Sequence, residues 1–207
     1  MIVLVTLAGA YLALCVVARL GYPRMLFPAP RLPAPPLDRG GRLVELPHPD
    51  GSRTHVLHFP IAPDAGRTVV VFHGNGETMY DEVEHALELR RRGLGVLLVE
   101  YRGYGTTHGA PPSEAMLYAD GEAALAFLSR EHVGPDRIGL WGWSLGSGVA
   151  AEMARRGHGA RLALFAPFTS VVDMARRVAP FLPVSLLMRH RLDTLAKASA
   201  ITQPTLV

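Results

Sequence analysis

Stretches of apolar residues alternate with stretches of helical periodicity from residue 68 onwards, and this alternation constrains the fold more than any other feature. The stretch Thr68–Phe72 reads Thr-Val-Val-Val-Phe, which is typical of a strand buried on both faces. Residues 77–92 then place Val83 and Leu87 at helical spacing, and residues 95–100 form a second unbroken apolar run. Strand, helix and strand in this order predict parallel pairing of the two strands.

The same alternation continues to the end of the chain. The further predicted elements are, in chain order, strands over 42–47 and 53–59, a helix over 114–130, a strand over 136–141, a helix over 145–156 and strands over 161–165 and 204–207. The turn-rich quartet His48-Pro49-Asp50-Gly51 joins the first two strands and predicts an antiparallel hairpin. The predicted fold class is therefore α/β, a mostly parallel, doubly wound sheet that begins with an antiparallel hairpin.

A separate apolar segment precedes this domain. Residues 2–18 contain no charged side chain and are long enough, as a helix, to cross the hydrocarbon of a thin bilayer. A cleaved signal peptide carries its positive charges before the apolar run, whereas Arg19, Arg24 and Arg31 follow it. We therefore favour a retained single-pass anchor over a signal peptide, and the same arginines favour the cytoplasmic side for the rest of the chain.

The chain divides on this basis into three parts. Residues 1–20 form the transmembrane anchor, residues 21–37 form a proline-rich linker that we expect to be extended, and residues 38–207 form one globular domain. No repeat of solenoid length is visible.

Composition excludes several classes of function. Twenty-one Lys and Arg against eighteen Asp and Glu give a net charge of only +3, so the sequence predicts no nucleic-acid partner. A single cysteine, Cys15, excludes a disulfide framework. The histidines show neither the spacing nor the neighbouring carboxylates that metal ligation favours, so we predict no metal and no cofactor. They include His55, His58, His85, His132 and His158.

The segment Gly142-Trp143-Ser144-Leu145-Gly146 lies where a predicted buried strand meets a predicted helix. A sharp turn at this place needs small residues two positions before and after the serine, because the turn brings backbone segments together. Ser144 would project its hydroxyl above the sheet, and the backbone N–H of Leu145 would face the same point from the helix N-terminus. The other interpretation is that Ser144 merely caps the helix.

A second glycine-rich segment, His73-Gly74-Asn75-Gly76, directly follows the strand Thr68–Phe72. Parallel strands bring their carboxyl ends to one edge of a sheet, so this loop and Ser144 are expected to meet there. We predict an oxyanion hole formed by the backbone N–H groups of Asn75 and Leu145. A plain turn is the alternative interpretation of the loop.

These segments resemble those of the α/β-hydrolase family, and especially its membrane-anchored branch of depalmitoylating thioesterases and lysophospholipases. The similarity rests on four stretches, namely residues 73–76, 100–105, 142–148 and 166–170, and covers about residues 43–207. It implies a serine hydrolase that cleaves an ester or thioester of a small-molecule or acyl-chain substrate through an acyl-enzyme on Ser144. It also implies a structural role for the second stretch, in which Arg102 anchors the loop.

The resemblance implies an acid and a histidine after Ser144, in that order. In the family the acid follows the strand that begins here near residue 204, and the histidine comes later still. We therefore expect the domain to be incomplete, lacking its last strands and helix, and the 207 residues alone to turn over little or no substrate. The residues present are weaker candidates. Asp173 is interpreted as part of a capping box and Asp193 as a salt-bridge partner or helix cap. His158 is expected to lie far from Ser144, His190 to approach it only by unusual folding, and His108 to lie on the same edge of the sheet but in the wrong chain order.

Residues 171–187 are apolar and contain Pro180 and Pro183. The family places cap elements over the active site here. Apolar side chains from Phe181 to Met188 would line an acyl pocket or pack on the sheet, and we favour packing.

Two rival functions share these features. A binding or scaffold protein would keep the serine turn only for folding, as a catalytically incomplete member of the family. A peptidase would use every residue named for an esterase.

Overall fold

The computed structural model describes residues 1–36, 39–61, 66–107 and 110–207. Within these residues, seven strands form one sheet in the spatial order β1-β2-β4-β3-β5-β6-β7. The strands are β1 (Arg42–Pro47), β2 (Arg53–Phe59), β3 (Thr68–Phe72), β4 (Gly95–Val99), β5 (Ile138–Trp143), β6 (Arg161–Phe165) and β7 (Thr205–Leu206).

Strand direction follows the predicted fold class. The β1–β2 hairpin is antiparallel, with Arg42 opposite His58 and Pro47 opposite Arg53, and β2 is antiparallel to β4. The pairs from β4 through β3, β5 and β6 to β7 are all parallel. The mostly parallel sheet with an antiparallel N-terminal hairpin is therefore confirmed.

Helices cover both faces of the sheet. They are α1 (Ile2–Leu26), α2 (Val83–Arg91), α3 (Glu114–Arg130), α4 (Leu145–Arg155), α5 (Val171–Val178), α6 (Val184–Leu187) and α7 (Thr194–Lys197). Helices α3 and α4 contribute to one hydrophobic cluster with the sheet, and α2 contributes to a second cluster built on Leu57, Phe59 and Leu98. The two clusters are the two sides of a doubly wound sheet.

Two predicted elements begin later than expected, and each shift has a local cause. The predicted helix 77–92 starts as a 3₁₀ turn, Met79–Glu82, because Thr78 and Asp81 form a capping box there. The predicted strand 136–141 is observed as Ile138–Trp143, since Pro135 at the start of a 3₁₀ turn, Pro135–Arg137, delays the extended conformation.

Helix α1 is longer than the predicted anchor. It continues past residue 20 to Leu26 and includes Pro23, so the first part of the predicted extended linker is helical. The turn after Pro23 remains closed because the N–H of Phe27 donates to the Pro23 carbonyl at 2.8 Å. By length and composition α1 is able to cross a membrane, and most of its side chains are exposed.

The loops after β3 and β5 leave the sheet at neighbouring positions. In the sheet, β4 lies on one side of β3 and β5 lies on its other side. The chain therefore adds strands in one direction up to β4 and in the opposite direction from β5 onwards, and the change of direction falls between β3 and β5. Phe72 pairs with Gly142 at the carboxyl ends of these strands. A crevice at such a switch point is where ligands bind in open α/β sheets.

The segment after β6 differs from its prediction. We expected the apolar side chains of this segment to pack on the sheet, but Phe181 is 63% exposed and Leu186 is 81% exposed. Packing is wrong for these two because α5 buries only Val171 and Val172, after which the chain leaves the sheet. The predicted cap at Asp193 is confirmed, because its side chain accepts from the Ala196 N–H at 3.0 Å. At α5 the capping side chain is that of Ser170, which accepts from the Asp173 N–H at 3.0 Å, and the Asp173 carboxylate pairs with Arg176.

Candidate active site

Ser144 occupies a strained turn between β5 and α4. Its φ of 46° and ψ of −112° are uncommon for a residue with a side chain. The Ser144 N–H donates to the Phe165 carbonyl at 2.9 Å, and its own carbonyl accepts from the Ser147 hydroxyl at 2.6 Å. Within the described residues its hydroxyl makes no hydrogen bond, so Ser144 holds the N-cap position without capping the helix.

The flanking glycines are required by contact with backbone rather than with side chains. A Cβ at Gly142 would lie 2.6 Å from Cα of Ser147, and one at Gly146 would lie 2.7 Å from the His73 carbonyl oxygen and overlap the Phe72 carbonyl. Backbone atoms at these places are fixed by the sheet and by α4 and cannot move aside. The geometry therefore permits only glycine at both positions.

The loop after β3 lies against this turn. A Cβ at Gly74 would come within 3.1 Å of Trp143, the residue before Ser144. The Gly74 N–H donates to the Glu77 carboxylate at 2.7 Å, and Asn75 is exposed at the tip of the loop. The structure thus places Gly74, Gly142 and Gly146 around Ser144, with Asn75 next to this group.

The two backbone donors predicted for the oxyanion hole remain available. Across the part of the chain that the structure describes, neither the Asn75 N–H nor the Leu145 N–H donates a hydrogen bond. The Leu145 N–H lies in the first turn of α4, where the helix dipole favours negative charge. The side chain of Leu145 is buried, which fixes the backbone of that turn.

A buried His73–Glu100 pair supports the loop after β3. The sequence interpretation did not assign this pair a role. The His73 Nε2 lies 2.9 Å from Glu100 Oε1, and His73 Nδ1 donates to the Gly74 carbonyl at 2.8 Å. Both side chains are buried. Because a peptide unit is planar and trans, holding the Gly74 carbonyl toward His73 turns the N–H of Asn75 to the opposite side.

A signal for this pair was present in the sequence. His73 and Glu100 each directly follow a strand buried on both faces, and Phe72 pairs with Val99 in the sheet. Two polar residues at matching positions of neighbouring parallel strands are brought together at the carboxyl edge. Both nitrogens of His73 have partners, so the ring is a support for the loop and not a free base.

The predicted anchoring role of Arg102 is confirmed. Its Nε donates to Asp120 at 2.6 Å, its backbone N–H donates to the same carboxylate at 2.9 Å, and another guanidinium nitrogen donates to Ser52 at 3.0 Å. Arg102 and Asp120 are both buried. The loop after β4 is thereby tied to α3 and to the β1–β2 turn.

The acids and histidines that follow Ser144 have other partners. His158 bonds to Glu122 at 2.9 Å, and Asp173 pairs with Arg176 at 2.9 Å. His190 packs its ring 5.2 Å from that of Phe27, and burial lowers the pKa of His190. His108 lies outside the described residues. None of the described candidates bonds to Ser144.

The histidines correct one premise of the sequence interpretation. Several have a carboxylate neighbour, contrary to that premise, as His55 has Glu45 at 3.7 Å and His85 has Glu82 at 2.8 Å. In the described ranges, no group of three or more His, Cys, Asp or Glu is arranged to hold a metal ion.

Comparison with known proteins identifies relatives of this chain. Residues 63–206 match the Hydrolase_4 family, whose description is "Serine aminopeptidase, S33". The chain is 37% identical over 169 residues to Uncharacterized protein Rv2307c of Mycobacterium tuberculosis, covering 81% of this chain and 60% of that protein. It is 32% identical over 138 residues to alpha/beta hydrolase domain-containing protein WAV2 of Arabidopsis thaliana, covering 64% of this chain and 44% of that protein.

Solved structures show the same fold. The Pyrococcus furiosus esterase Pf2001 aligns with a TM-score of 0.65 at 18% identity, covering 86% of this chain and 74% of that chain. The chain spans 60% of the length of the mycobacterial relative and 44% of the plant one. The family match covers most of the chain and agrees with the observed sheet. The chain therefore belongs to the Hydrolase_4 family and has the α/β-hydrolase fold.

Proposed function

We propose that this chain provides the nucleophile and oxyanion hole of a serine hydrolase that cleaves an ester or thioester through an acyl-enzyme on Ser144. The observation that carries the proposal is the strained backbone of Ser144 between two glycine positions where a Cβ would meet backbone. Strain of this kind costs about 1–3 kcal/mol and persists where the surrounding structure enforces it. A serine that only capped α4 would not need it.

The chemistry follows from the geometry around this turn. The Ser144 Oγ attacks the carbonyl carbon of the substrate, and the electron pair of the C=O bond moves to the oxygen. The N–H groups of Asn75 and Leu145 donate to that oxyanion. Collapse of the intermediate breaks the bond to the alcohol or thiol, which leaves with a proton, and water then releases the acid from Ser144.

Proton transfer needs a base near the Ser144 hydroxyl. His73 is excluded from this role because both its nitrogens are engaged, and His158 and His190 bond or pack elsewhere. That the triad acid and histidine follow the seventh strand stays a prediction. Removing such partners from a serine hydrolase lowers the rate by roughly 10⁴–10⁶.

We also propose that α1 is a single-pass membrane anchor with the domain on the cytoplasmic side. Its hydropathy and its exposed apolar side chains support the anchor, and the arginines that follow support the side. An anchored enzyme meets lipids and acylated proteins at high local concentration, which favours an acyl-chain substrate.

An alkyl fluorophosphonate probe tests the nucleophile in the full-length protein. We expect covalent labelling of the wild type and none of Ser144→Ala. Ser147→Ala is the matched control, because Ser147 is a buried hydroxyl three residues away that donates to the Ser144 carbonyl. Labelling of Ser144→Ala equal to wild type would refute the assignment, and a folded wild type that is never labelled would support a non-catalytic binding protein.

The family description favours one further candidate, an aminopeptidase. The same serine and donors serve either reaction, so the substrate decides between them. Hydrolysis of aminoacyl-nitroanilides above that of nitrophenyl and thioester acyl substrates, measured as kcat/KM, would favour the peptidase.

A further inference from the structure

An uncharged segment, residues 178–188, runs from the last residue of α5 through α6 and is called the tip here. It reads Val-Ala-Pro-Phe-Leu-Pro-Val-Ser-Leu-Leu-Met, with Ser185 as its one polar side chain. Arginines lie immediately outside it on both sides, namely Arg176, Arg177, Arg189 and Arg191. An apolar stretch bounded by arginines is the pattern of a segment that enters lipid while its ends remain at the headgroups.

Much of this apolar surface faces away from the protein. Phe181 and Leu186 are exposed, as reported above, and Val178 is 83% exposed. Such a group of large apolar side chains on one short segment marks an interaction surface.

Helix α1 runs beside the tip and fixes its position along the helix axis. The Tyr11 hydroxyl donates to the Phe181 carbonyl at 2.9 Å, and the Arg19 guanidinium donates to the Leu187 carbonyl. Farther along, the Arg189 N–H donates to the Tyr22 hydroxyl at 2.8 Å. Phe181 is thus level with Tyr11, which is about 12 Å along the helix from Arg19.

This position conflicts with a domain held wholly above the membrane. The part of α1 before Tyr11 is only about 14 Å long, whereas the hydrocarbon core of a bilayer is about 30 Å thick. The whole uncharged stretch 2–18 is about 25 Å long and ends at Arg19, the first charged side chain. If that stretch lies in hydrocarbon, then Tyr11 and the backbone bonded to it lie in hydrocarbon too.

We propose that the tip is inserted in the acyl-chain region of the leaflet nearest the domain, beside α1, with Phe181 the deepest of the tip residues whose carbonyls bond to α1. Arg19 and the arginines on either side of the tip lie at the phospholipid headgroups. The inference rests on the proposed membrane anchor and not on the catalytic role of Ser144. It brings the segment after β6 close to the lipid surface, and the last residue of β6, Phe165, accepts the Ser144 N–H through its carbonyl.

An environment-sensitive fluorophore on single cysteines tests this placement. The full chain carrying Cys15→Ala is labelled with NBD at Phe181→Cys or Leu186→Cys and reconstituted in vesicles of phosphatidylcholine and phosphatidylglycerol. We expect blue-shifted emission at both sites, with several-fold quenching by lipids brominated on their acyl chains. Phe181→Trp and Leu186→Trp, compared with the wild type, give the quenching readout with Cys15 intact.

Two control sites separate the possible outcomes. Val5→Cys reports on α1 itself, and Arg130→Cys lies at the end of α3 about 24 Å from Glu114, which contacts the chain just after the tip. We expect quenching at Val5→Cys and none at Arg130→Cys. Quenching at Val5→Cys with water-exposed probes at 181 and 186 would overturn the insertion and leave the anchor intact.

Absence of quenching at all sites would overturn both the anchor and the inserted tip. Fluorophosphonate labelling of the same vesicles reports separately on Ser144. Quenched tip probes in a protein that is never labelled would remove the catalytic proposal while supporting the insertion.

Discussion

Helix α4 and the tip each contain a stretch without charged side chains, but they differ in burial. Residues 145–151 and residues 178–188 both lack charged side chains. Every residue of α4 from Leu145 to Ala154 is buried, whereas three of the large apolar side chains of the tip, Val178, Phe181 and Leu186, are exposed. The two segments lie on either side of β6 in the chain.

The difference arises from what each segment has beside it. Helix α4 packs against the sheet, α3 and α7, and Gly146 and Gly148 approach Phe72 and Leu192 closely. The tip leaves the sheet at the end of α5 and lies beside α1, to which it bonds through the Phe181 and Leu187 carbonyls. An uncharged apolar sequence therefore does not by itself decide whether a segment is buried in the protein; the path of the chain decides it.

The largest difference in the free energy of unfolding is expected between two leucine substitutions, one in the buried sheet and one in the exposed tip. Leu140→Ala in β5 should lower the free energy of unfolding by about 2–5 kcal/mol, because Leu140 is 2% exposed and its loss leaves a cavity. Leu186→Ala in the tip should change it by less than about 0.5 kcal/mol in detergent solution. Chemical unfolding of both variants in one detergent measures the difference, and equal losses would contradict the comparison.

Gly146→Ala should lower the free energy of unfolding by about 3 kcal/mol, which is the upper end of the range that overpacking usually costs. The added methyl group meets the Phe72 and His73 carbonyls, which the sheet holds in place. Gly139→Ala in β5 is the control, since its Cβ would find Val69 at an ordinary 4.0 Å. Thermal unfolding compares the two, and an unchanged melting temperature for Gly146→Ala would show that the turn is less tightly closed than described.

His73→Gln should slow acylation of Ser144 by roughly 10-fold to 100-fold. This is a smaller loss of rate than the roughly 10²-fold to 10³-fold that removal of an oxyanion donor causes. The change removes the clamp on the Gly74 carbonyl and lets the Asn75 N–H turn away. The rate constant of fluorophosphonate labelling measures the effect, with the melting temperature checked in parallel.

His85→Gln is the matched control for this effect, because His85 also pairs with a glutamate but is exposed on the side of α2. A loss of stability without any loss of labelling rate in the His73 variant would restrict His73 to a purely structural role.

The smallest effect concerns acid stability in the polar contact between α3, α4 and α7. Burial of Glu152 opposes its ionisation, but hydrogen bonds from Arg155 and Arg156 and the charge of Lys197 lower the pKa of Glu152 from 4.5 to about 2. A carboxyl whose pKa is lower in the folded state stabilises the protein above its unfolded pKa, and this contribution is lost as the pH falls from about 4.5 toward 2.

Glu152→Gln should therefore cost about 1–2 kcal/mol at neutral pH and flatten the loss of stability below about pH 4.5. Unfolding at a series of pH values measures this slope. Glu122→Gln serves as the control, because Glu122 also pairs with Arg156 but at a more exposed place. An unchanged slope in Glu152→Gln would assign the acid sensitivity to other carboxyl groups.

Much of the fold was predictable because its signals are local. The strands Arg42–Pro47, Arg53–Phe59, Thr68–Phe72 and Arg161–Phe165 have their predicted bounds, since each is a short run with strand periodicity between turn residues. Errors occurred where capping or proline shifts a boundary, as at Met79 and Ile138. The end of α1 was also misjudged, because Pro23 enters a helix that packing against the segment after β6 supports.

The candidate site was predictable in part. Spacing of the glycines around Ser144 and the position of the loop after β3 follow from the strand order, and the structure brings them together. The His73–Glu100 pair was missed because residues 27 positions apart become neighbours only through the parallel register of β3 and β4.

The sequence by itself determined the alternation of strands and helices, the glycines of the turn, and which segments are apolar, because these depend on backbone conformation and on side-chain polarity. Only the tertiary structure decided that the Gly74 carbonyl bonds to His73 and that the tip lies beside α1 with Phe181 and Leu186 exposed. Those features depend on distances between segments remote in the chain, which local propensity does not encode.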